Sequence, residues 1–421
     1  MFFYKNQTDD LFKLETKLLI SCPNNQNSLG GLFILDFKKN KIKKILEGDI
    51  RGFSIYRDKL YISNEAKGIE IYDQKFNLIN ILLIKNADIH GILAKNNLLY
   101  VSETATDTIN IYDITTFKKI KSINISDSRN DSHHINDTFL KNNHLYISMF
   151  SISGTWKQKE ENFDGVIVNY DLKTNKYKII KKNLQHPHSI VYIKNKLYFC
   201  ESLNLNLSIL NKTLAIFGGY TRGLYFDNKY CYIGQSEMRH LDRILSKVPN
   251  ISLDCGVYIF NPKKHTNRFV PLPAKQIYQI GSIENFSFNY DTKIDFNSNT
   301  AIKNLKNINN WYYPDGKYRW MAKKTATIYL NKSKKHKYLI SKIYNGFPEK
   351  YSASIIINSS QIHKIVFNSP SEKTFKFDIS KVTNDILNIQ IKVTNLWTPS
   401  KYLQTKDNRQ LGLAIKKIFL K

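Results

Sequence analysis

Five polar residues recur at one place in a repeated phrase, and their types suit proton transfer and anion binding. Arg51, His90, Asn136, His188 and Arg222 each stand ten positions before an aromatic residue, Tyr61, Tyr100, Tyr146, Tyr198 or Tyr232, in a strand-like run of the Leu-Tyr-Ile-Ser type. An imidazole changes charge near neutral pH and serves as acid or base. A guanidinium keeps its charge and grips carboxylate or phosphate with two parallel N–H groups. His134 and His186 lie two positions before Asn136 and His188, which in a regular strand puts them on the same side. Residues after each Leu-Tyr-Ile-Ser run form a second set: Asn64, Glu65, Glu103, Trp156, Glu201, Gln235, Ser236 and Arg239.

These residues carry the candidate roles. His134, His188, Asn136 and Glu103 are the catalytic candidates, with Glu103 and Glu201 a carboxylate pair suited to acid and base work. Arg51, His90, Trp156, Arg222, Ser236 and Arg239 are the substrate-binding candidates. His90, His134 and His188 could together ligate a divalent metal, the one cofactor the residues suggest. A plainer role stands beside these: polar groups at one position of a repeat also satisfy backbone carbonyls of the neighbouring unit. The chain has no Walker loop, GxGxxG, GxSxG or HExxH motif.

The elements that must position them can be read from the same phrase. It runs RGFSIYRDKLYIS from Arg51, HGILAKNNLLYVS from His90, NDTFLKNNHLYIS from Asn136, HSIVYIKNKLYFC from His188 and RGLYFDNKYCYIG from Arg222, with a weaker copy through Leu14 to Ser21. Two apolar runs around a Lys/Asn/Asp turn predict a β-hairpin of constant geometry. A third strand follows, as in GIEIYD ending at Asp73 and TINIYD ending at Asp113, and usually a fourth. Three or four antiparallel strands in about 35–55 residues are a propeller blade, because one blade alone cannot bury both faces. The expected fold is therefore all-β: a propeller of about six blades over residues 1–290, then an antiparallel jelly-roll-like β-sandwich over 300–421. KQIYQIGSI near Tyr278 either completes the first blade or leads out of the propeller. In such a ring, inner strands begin beside the axis, so the repeated polar residues converge in a funnel.

Composition narrows the function classes. The formal charge is +28, from 63 Lys and Arg against 35 Asp and Glu, but the excess is mostly Lys scattered through Asn- and Ile-rich sequence. No zinc finger, RRM signature or basic zipper is present, so specific nucleic-acid binding is not expected, whereas loose attraction to anionic glycans or an anionic membrane surface is. Cys22, Cys200, Cys231 and Cys255 form no CxxC pair and read as buried small hydrophobes. With no signal-peptide pattern and no run of about 18 apolar residues, a cytoplasmic location is expected.

Seven motifs in the middle of the chain resemble a family in the same order. HHIND from His133, GTWKQ around Trp156, DGVIV from Asp164, NLQHPHS through His188, GGYTRGLYF through Arg222, YIGQSEMR through Arg239 and CGVYIF from Cys255 are similar to an uncharacterised bacterial propeller-like family, a domain of unknown function. The resemblance covers about residues 85–285 and implies a site at His134, Asn136, Trp156, His188, Arg222, Ser236 and Arg239, with Glu201 disfavoured as an acid. Near the C-terminus, WYYPDGKYRWM and LWTPSKYLQTKDNRQLGLAI resemble the small β-modules attached to bacterial glycosyltransferases and other capsule and lipopolysaccharide enzymes, over about residues 305–421. There Trp311, Trp320 and Trp397 either stack on sugars or fill the core, and Asp407 pairs with Arg409 or Arg319. These readings converge on a transferase of sugars or sugar substituents in surface-glycan biosynthesis, taking an anionic carbohydrate or nucleotide-sugar. The alternatives are a non-catalytic glycan-binding scaffold and a metal-dependent polysaccharide lyase or hydrolase.

Overall fold

The structure is a computed structural model of the chain. It describes residues 14–23, 30–85, 87–125, 130–158, 163–238, 241–244, 250–283, 286, 290–306 and 308–421. Two compact units divide near residue 287.

The first unit is a β-propeller of six four-stranded antiparallel sheets. Five are consecutive in sequence, with inner strands Ile50–Tyr56, Ile89–Lys95, Ile135–Lys141, Pro187–Ile193 and Tyr220–Phe226. The sixth joins the two ends of the unit. Gln279–Ser282 pairs with Lys17–Cys22, Ile20 opposite Ile280, so the segment after Tyr278 supplies the missing inner strand of the first blade. That settles how the ring closes, and it removes the exposed sheet edge an open ring would leave.

The strands form where the sequence alternates, and both faces are apolar because each blade is covered by two neighbours. Ile69, Ile71, Leu99 and Val101 fill one interface, and Ile109, Ile111, Ile147 and Val168 the next. The four cysteines are buried as free thiols in two other clusters, Cys22 with Cys255 and Cys200 with Cys231, and burial raises their pKa values, which makes them inert packing groups.

All five consecutive inner strands carry a register shift at the same place: between Ile50 and Phe53, Ile89 and Ile92, Ile135 and Thr138, His188 and Val191, and Thr221 and Leu224. The recurrent polar residues sit at these bulges, which bend the strand and re-aim a side chain. The small residues beside them have a steric reason. A Cβ on Gly52 would come 2.4 Å from the His90 carbonyl oxygen, and one on Gly91 would come 2.7 Å from the Asn136 carbonyl oxygen. Inner strands of adjacent blades thus pack backbone to backbone around the axis.

The second unit is a two-sheet antiparallel sandwich. One sheet is built on Ala414–Leu420 and Tyr338–Asn345, the other on Ile386–Val393, Thr325–Asn331, Tyr351–Ile357 and Gln361–Phe367. Trp311, Trp320 and Trp397 are buried in its core, with Trp320 edge-on to Trp397, so core filling is their role and sugar stacking is not. Asp407 pairs with Arg409, whose Nη2 also reaches Asp315 at 2.9 Å, while Arg319 is buried and donates to the Phe296 carbonyl.

Candidate functional site

Each blade brings a triplet to the axis, two polar residues flanking a buried one that is apolar in every blade but the fifth, where it is Thr221. The triplets are Asp49-Ile50-Arg51, Asp88-Ile89-His90, His134-Ile135-Asn136, His186-Pro187-His188, Tyr220-Thr221-Arg222 and Gln276-Ile277-Tyr278. The middle residue is buried in the blade each time, and of the flanking residues Asp49, Arg51, Asp88, His90, His134, Arg222 and Gln276 line one cavity. In three blades the first member takes a left-handed conformation, Asp88 at φ 45° and His134 and His186 at φ 50°. That conformation is uncommon outside glycine and costs about 1 kcal/mol or more. It turns the carbonyl of that residue onto the side chain two positions on: His90 Nδ1 lies 2.9 Å from the Asp88 oxygen, Asn136 Nδ2 3.2 Å from that of His134, and His188 Nδ1 3.0 Å from that of His186.

These contacts fix the tautomers. A carbonyl oxygen only accepts, so Nδ1 of His90 and of His188 carries the proton and Nε2 keeps its lone pair. The 3.2 Å approach of Arg51 Nη1 to His90 Nδ1 is then a packing contact, since both are donors. His188 Nδ1 also donates to Ser202 Oγ at 2.7 Å, and that hydroxyl passes its proton to the Thr221 carbonyl at 2.6 Å. Burial, with nearby Arg51 and Arg222, pushes the pKa of His90 well below the ordinary histidine value, and burial with Arg222 and His186 does the same for His188. Both imidazoles are neutral at physiological pH.

Five of the sequence-selected residues meet in one cavity of about 220 Å³: Arg51, His90, His134, Trp156 and Arg222, together with Pro23, Asp49, Asp88, Phe150 and Gln276. His134 packs against both Phe150 and Trp156, with ring centroids 4.3 and 4.2 Å away, and those two rings meet edge-on at 5.7 Å. Its Nδ1 meets Asp131 Oδ1 at 2.8 Å, and Trp156 Nε1 donates to the Asp131 carbonyl at 2.6 Å, so one residue sets both rings. Arg51 lies against Asp88, with Glu65 at 3.5 Å and Asp49 at 3.7 Å. Burial works against its charge, but these carboxylates raise its pKa above the usual guanidinium value. Arg222 is 3% exposed and lies over the Tyr278 ring, 4.2 Å from its centroid. The Tyr278 hydroxyl donates to Asp137 Oδ1 at 3.0 Å, and the Ser189 N–H donates to Asp137 Oδ2 at 2.7 Å.

Other candidates stand elsewhere. Glu103 accepts from Tyr112 of its own blade at 2.8 Å and is buried there, which removes it from the acid–base set. Asn136 is fully buried and turned back onto the His134 carbonyl, so it positions His134 and does not reach the cavity. Ser236 accepts from the Ile277 N–H at 3.0 Å and donates to the Ile277 carbonyl at 3.2 Å, fastening the closing segment in place of binding substrate. Glu201 is engaged by Asn204 and Ser208 of its own blade. His188 stands behind Phe150, edge-on at 5.0 Å, and is a structural support of the cavity wall. Among the described residues no three His, Cys, Asp or Glu side chains are disposed to hold one metal ion, so His90, His134 and His188 do not form a ligand set. Arg239 lies outside the described residues.

Sequence reasoning passed over Asp49, Asp88, Gln276 and Tyr278. The triplet would have found them: Asp-Ile-Arg, Asp-Ile-His and Gln-Ile-Tyr have the form of His-Ile-Asn. Larger hollows, of about 630 Å³ around Thr16, Asp36 and Asp227 and about 510 Å³ around Thr292, Asn331 and His336, are shallow and lack this convergence.

The family model "Domain of unknown function (DUF4915)" matches residues 59–288. The chain belongs to this family. The match spans every triplet but the first, Asp49-Ile50-Arg51. No curated protein matches the chain. Among solved structures, a chain of a nidogen/laminin complex is similar at 13% identity and TM-score 0.48, covering 65% of this chain and 100% of that one. A protein of unknown function from Bacteroides caccae is similar at 9% identity and TM-score 0.44, over 63% of this chain and 98% of that one. A protein from Lactobacillus plantarum is similar at 12% identity and TM-score 0.42, over 63% and 99%. At these distances nothing about activity follows from them. Among the described residues no helix is long and apolar enough to cross a membrane.

Proposed function

We propose that the axial cavity is the active site of a transferase that acts on an acidic carbohydrate in surface-glycan assembly, with His134 as the base. The observation that carries this reading is the setting of His134: Nδ1 held by Asp131 at 2.8 Å, the ring packed against Phe150 and Trp156, and the cavity shared with two guanidinium groups. With Nδ1–H donated to a carboxylate, Nε2 is the nitrogen left for substrate. It takes the proton of an acceptor hydroxyl as that oxygen attacks the electrophilic carbon of an activated donor; the bond from that carbon to its leaving group breaks, the leaving group departs with the bonding pair and takes up the proton from Nε2–H, and Asp131 steadies the imidazolium in between. The face of Trp156 suits the C–H face of a sugar ring. Asp88, Asp49 and Glu65 fix Arg51 at the rim, where it orders the wall and supplies hydrogen bonds.

The test is genetic and chemical together. Cells lacking the gene should change their surface-glycan profile by mass spectrometry, wild-type protein should restore it, and His134→Gln at equal protein level should not. In vitro, His134→Gln should slow transfer by about 10²- to 10⁴-fold while leaving substrate affinity within a few-fold. If His134→Gln restores the profile as well as wild type does, the catalytic reading is wrong and the cavity is a binding site alone.

A further inference from the structure

The two guanidinium groups of the cavity are not equivalent, and the difference bears on what the site takes. Arg51 is already compensated: Asp88 lies against it, with Glu65 and Asp49 within 3.7 Å. Arg222 is 3% exposed, and among the described residues nothing accepts from its buried Nε and no carboxylate forms an ion pair with it. One face of its guanidinium is covered by Tyr278 at 4.2 Å. Asp137 is close enough to feel its charge, but its oxygens are taken by the Tyr278 hydroxyl and the Ser189 N–H. Arg222 lines the cavity with the little of its guanidinium that is exposed, and that group offers a planar fork of two parallel N–H donors. A buried guanidinium whose donors lack acceptors is unfavourable until an anion meets it.

The charge of the wall limits which anion that is. Arg51 and Arg222 face Asp49 and Asp88, and His90 is held neutral by burial. A dianionic phosphate or a pyrophosphate would therefore meet a wall with no net positive charge and carboxylates at its rim. A carboxylate brings one charge, matched to the one guanidinium of the cavity that no carboxylate pairs directly, and its planar pair of oxygens fits the fork. Phe150, Trp156 and the ring of His134 supply an apolar, aromatic wall for the rest of the molecule. We infer that Arg222 is the receptor for the carboxylate of an acidic monosaccharide or a sugar acid of similar size, and that the funnel discriminates against phosphate and nucleotide-sugar pyrophosphate. This rests on the reading that substrate occupies the axial cavity, and it replaces the nucleotide-sugar alternative with one ligand class.

The experiment is calorimetric titration of the full chain with a fixed panel: glucuronate, galacturonate, N-acetylneuraminate and gluconate as acids, glucose and glucuronate methyl ester as neutral counterparts, and glucose 1-phosphate, inorganic phosphate and UDP-glucose as phosphates. At least one acid should bind about 10- to 100-fold more tightly than its neutral counterpart and than every phosphate. Arg222→Gln should erase that advantage, and Arg222→Lys should keep only part of it, because an ammonium restores the charge without the fork. The acid-versus-ester comparison uses wild-type protein, so misfolding of a variant cannot mimic the result. Phosphate binding more tightly than carboxylate, acid binding that survives Arg222→Gln, or no acid binding across the panel each overturns the inference. Acid binding that depends on Arg222, in a protein whose His134→Gln variant still restores the glycan profile, would instead remove the catalytic reading and leave this one standing.

Discussion

At the scale of single residues, the site is made by backbone conformation as much as by side-chain type. His134 holds φ 50°, and a β-branched residue there is a steric outlier, whereas asparagine tolerates the left-handed region. His134→Val should therefore destabilise the protein by about 1–3 kcal/mol, and His134→Asn by less than about 1 kcal/mol, measured from urea midpoints. The neutral histidines make a second prediction. The folded-state pKa values of His90 and His188 are lowered by burial, so below the ordinary histidine pKa the unfolded chain binds protons that the folded chain refuses. Stability is fully present above about pH 6.5 and falls as pH drops through the window between the unfolded and folded values. Each histidine steepens that fall by up to about 1.4 kcal/mol per pH unit. His188→Gln should flatten the decline between pH 6.5 and 5; an unchanged slope in urea titrations would show that His188 is protonated in the fold.

Within elements, the bulged inner strand explains both what could be read from the sequence and what could not. The constant ten-residue spacing exposed the hairpins, and Arg51, His90 and Arg222 reach the cavity as that spacing implies. Strand alternation then predicted that His134 and Asn136 share a side, but the bulge and the left-handed turn break the alternation, so His134 enters the cavity and Asn136 folds back. Glu103 was misplaced for a related reason: Tyr112, its partner, lies one strand further on, and pairing across a strand is invisible until register is known. Tyr278 escaped because its strand has no hairpin partner after it, only Lys17–Cys22 at the other end of the unit. The tight axis makes a direct prediction. Gly91→Ala places a Cβ 2.7 Å from the Asn136 oxygen and 3.0 Å from the Asp137 Cα, both backbone atoms that cannot rotate away. It should destabilise by about 1–3 kcal/mol and, by displacing the strand behind His134, weaken ligand binding as well. Gly316→Ala, with nothing within 4 Å and a φ of 56°, should cost only the roughly 1 kcal/mol of its backbone conformation and leave binding untouched.

For the molecule as a whole, the closing strand ties the two ends of the first unit into one ring. Gln279 lies beside Tyr278 and reaches across the junction: its Oε1 accepts from the Phe53 N–H at 2.8 Å and its Nε2 donates to the Phe53 carbonyl at 2.8 Å. Ile280 is buried opposite Ile20, in the cluster that joins the first and last blades. Both contacts must form for the sixth triplet, Gln276-Ile277-Tyr278, to stand at the axis, and Arg222 lies on that tyrosine. The ring's closure and the proposed anion receptor are therefore one structure. Ile280→Asp, which buries a carboxylate without a partner, should open the closing blade first. Amide hydrogen exchange should then lose protection in Lys17–Cys22, Gly31–Asp36, Lys41–Glu47 and Gln279–Ser282 while Ile109 and Val168, across the ring, keep theirs. Acid binding should fall together with that protection, because the tyrosine supporting Arg222 leaves with the strand. Binding retained after the blade has opened would separate the receptor from closure and show that Arg222 holds its place without Tyr278.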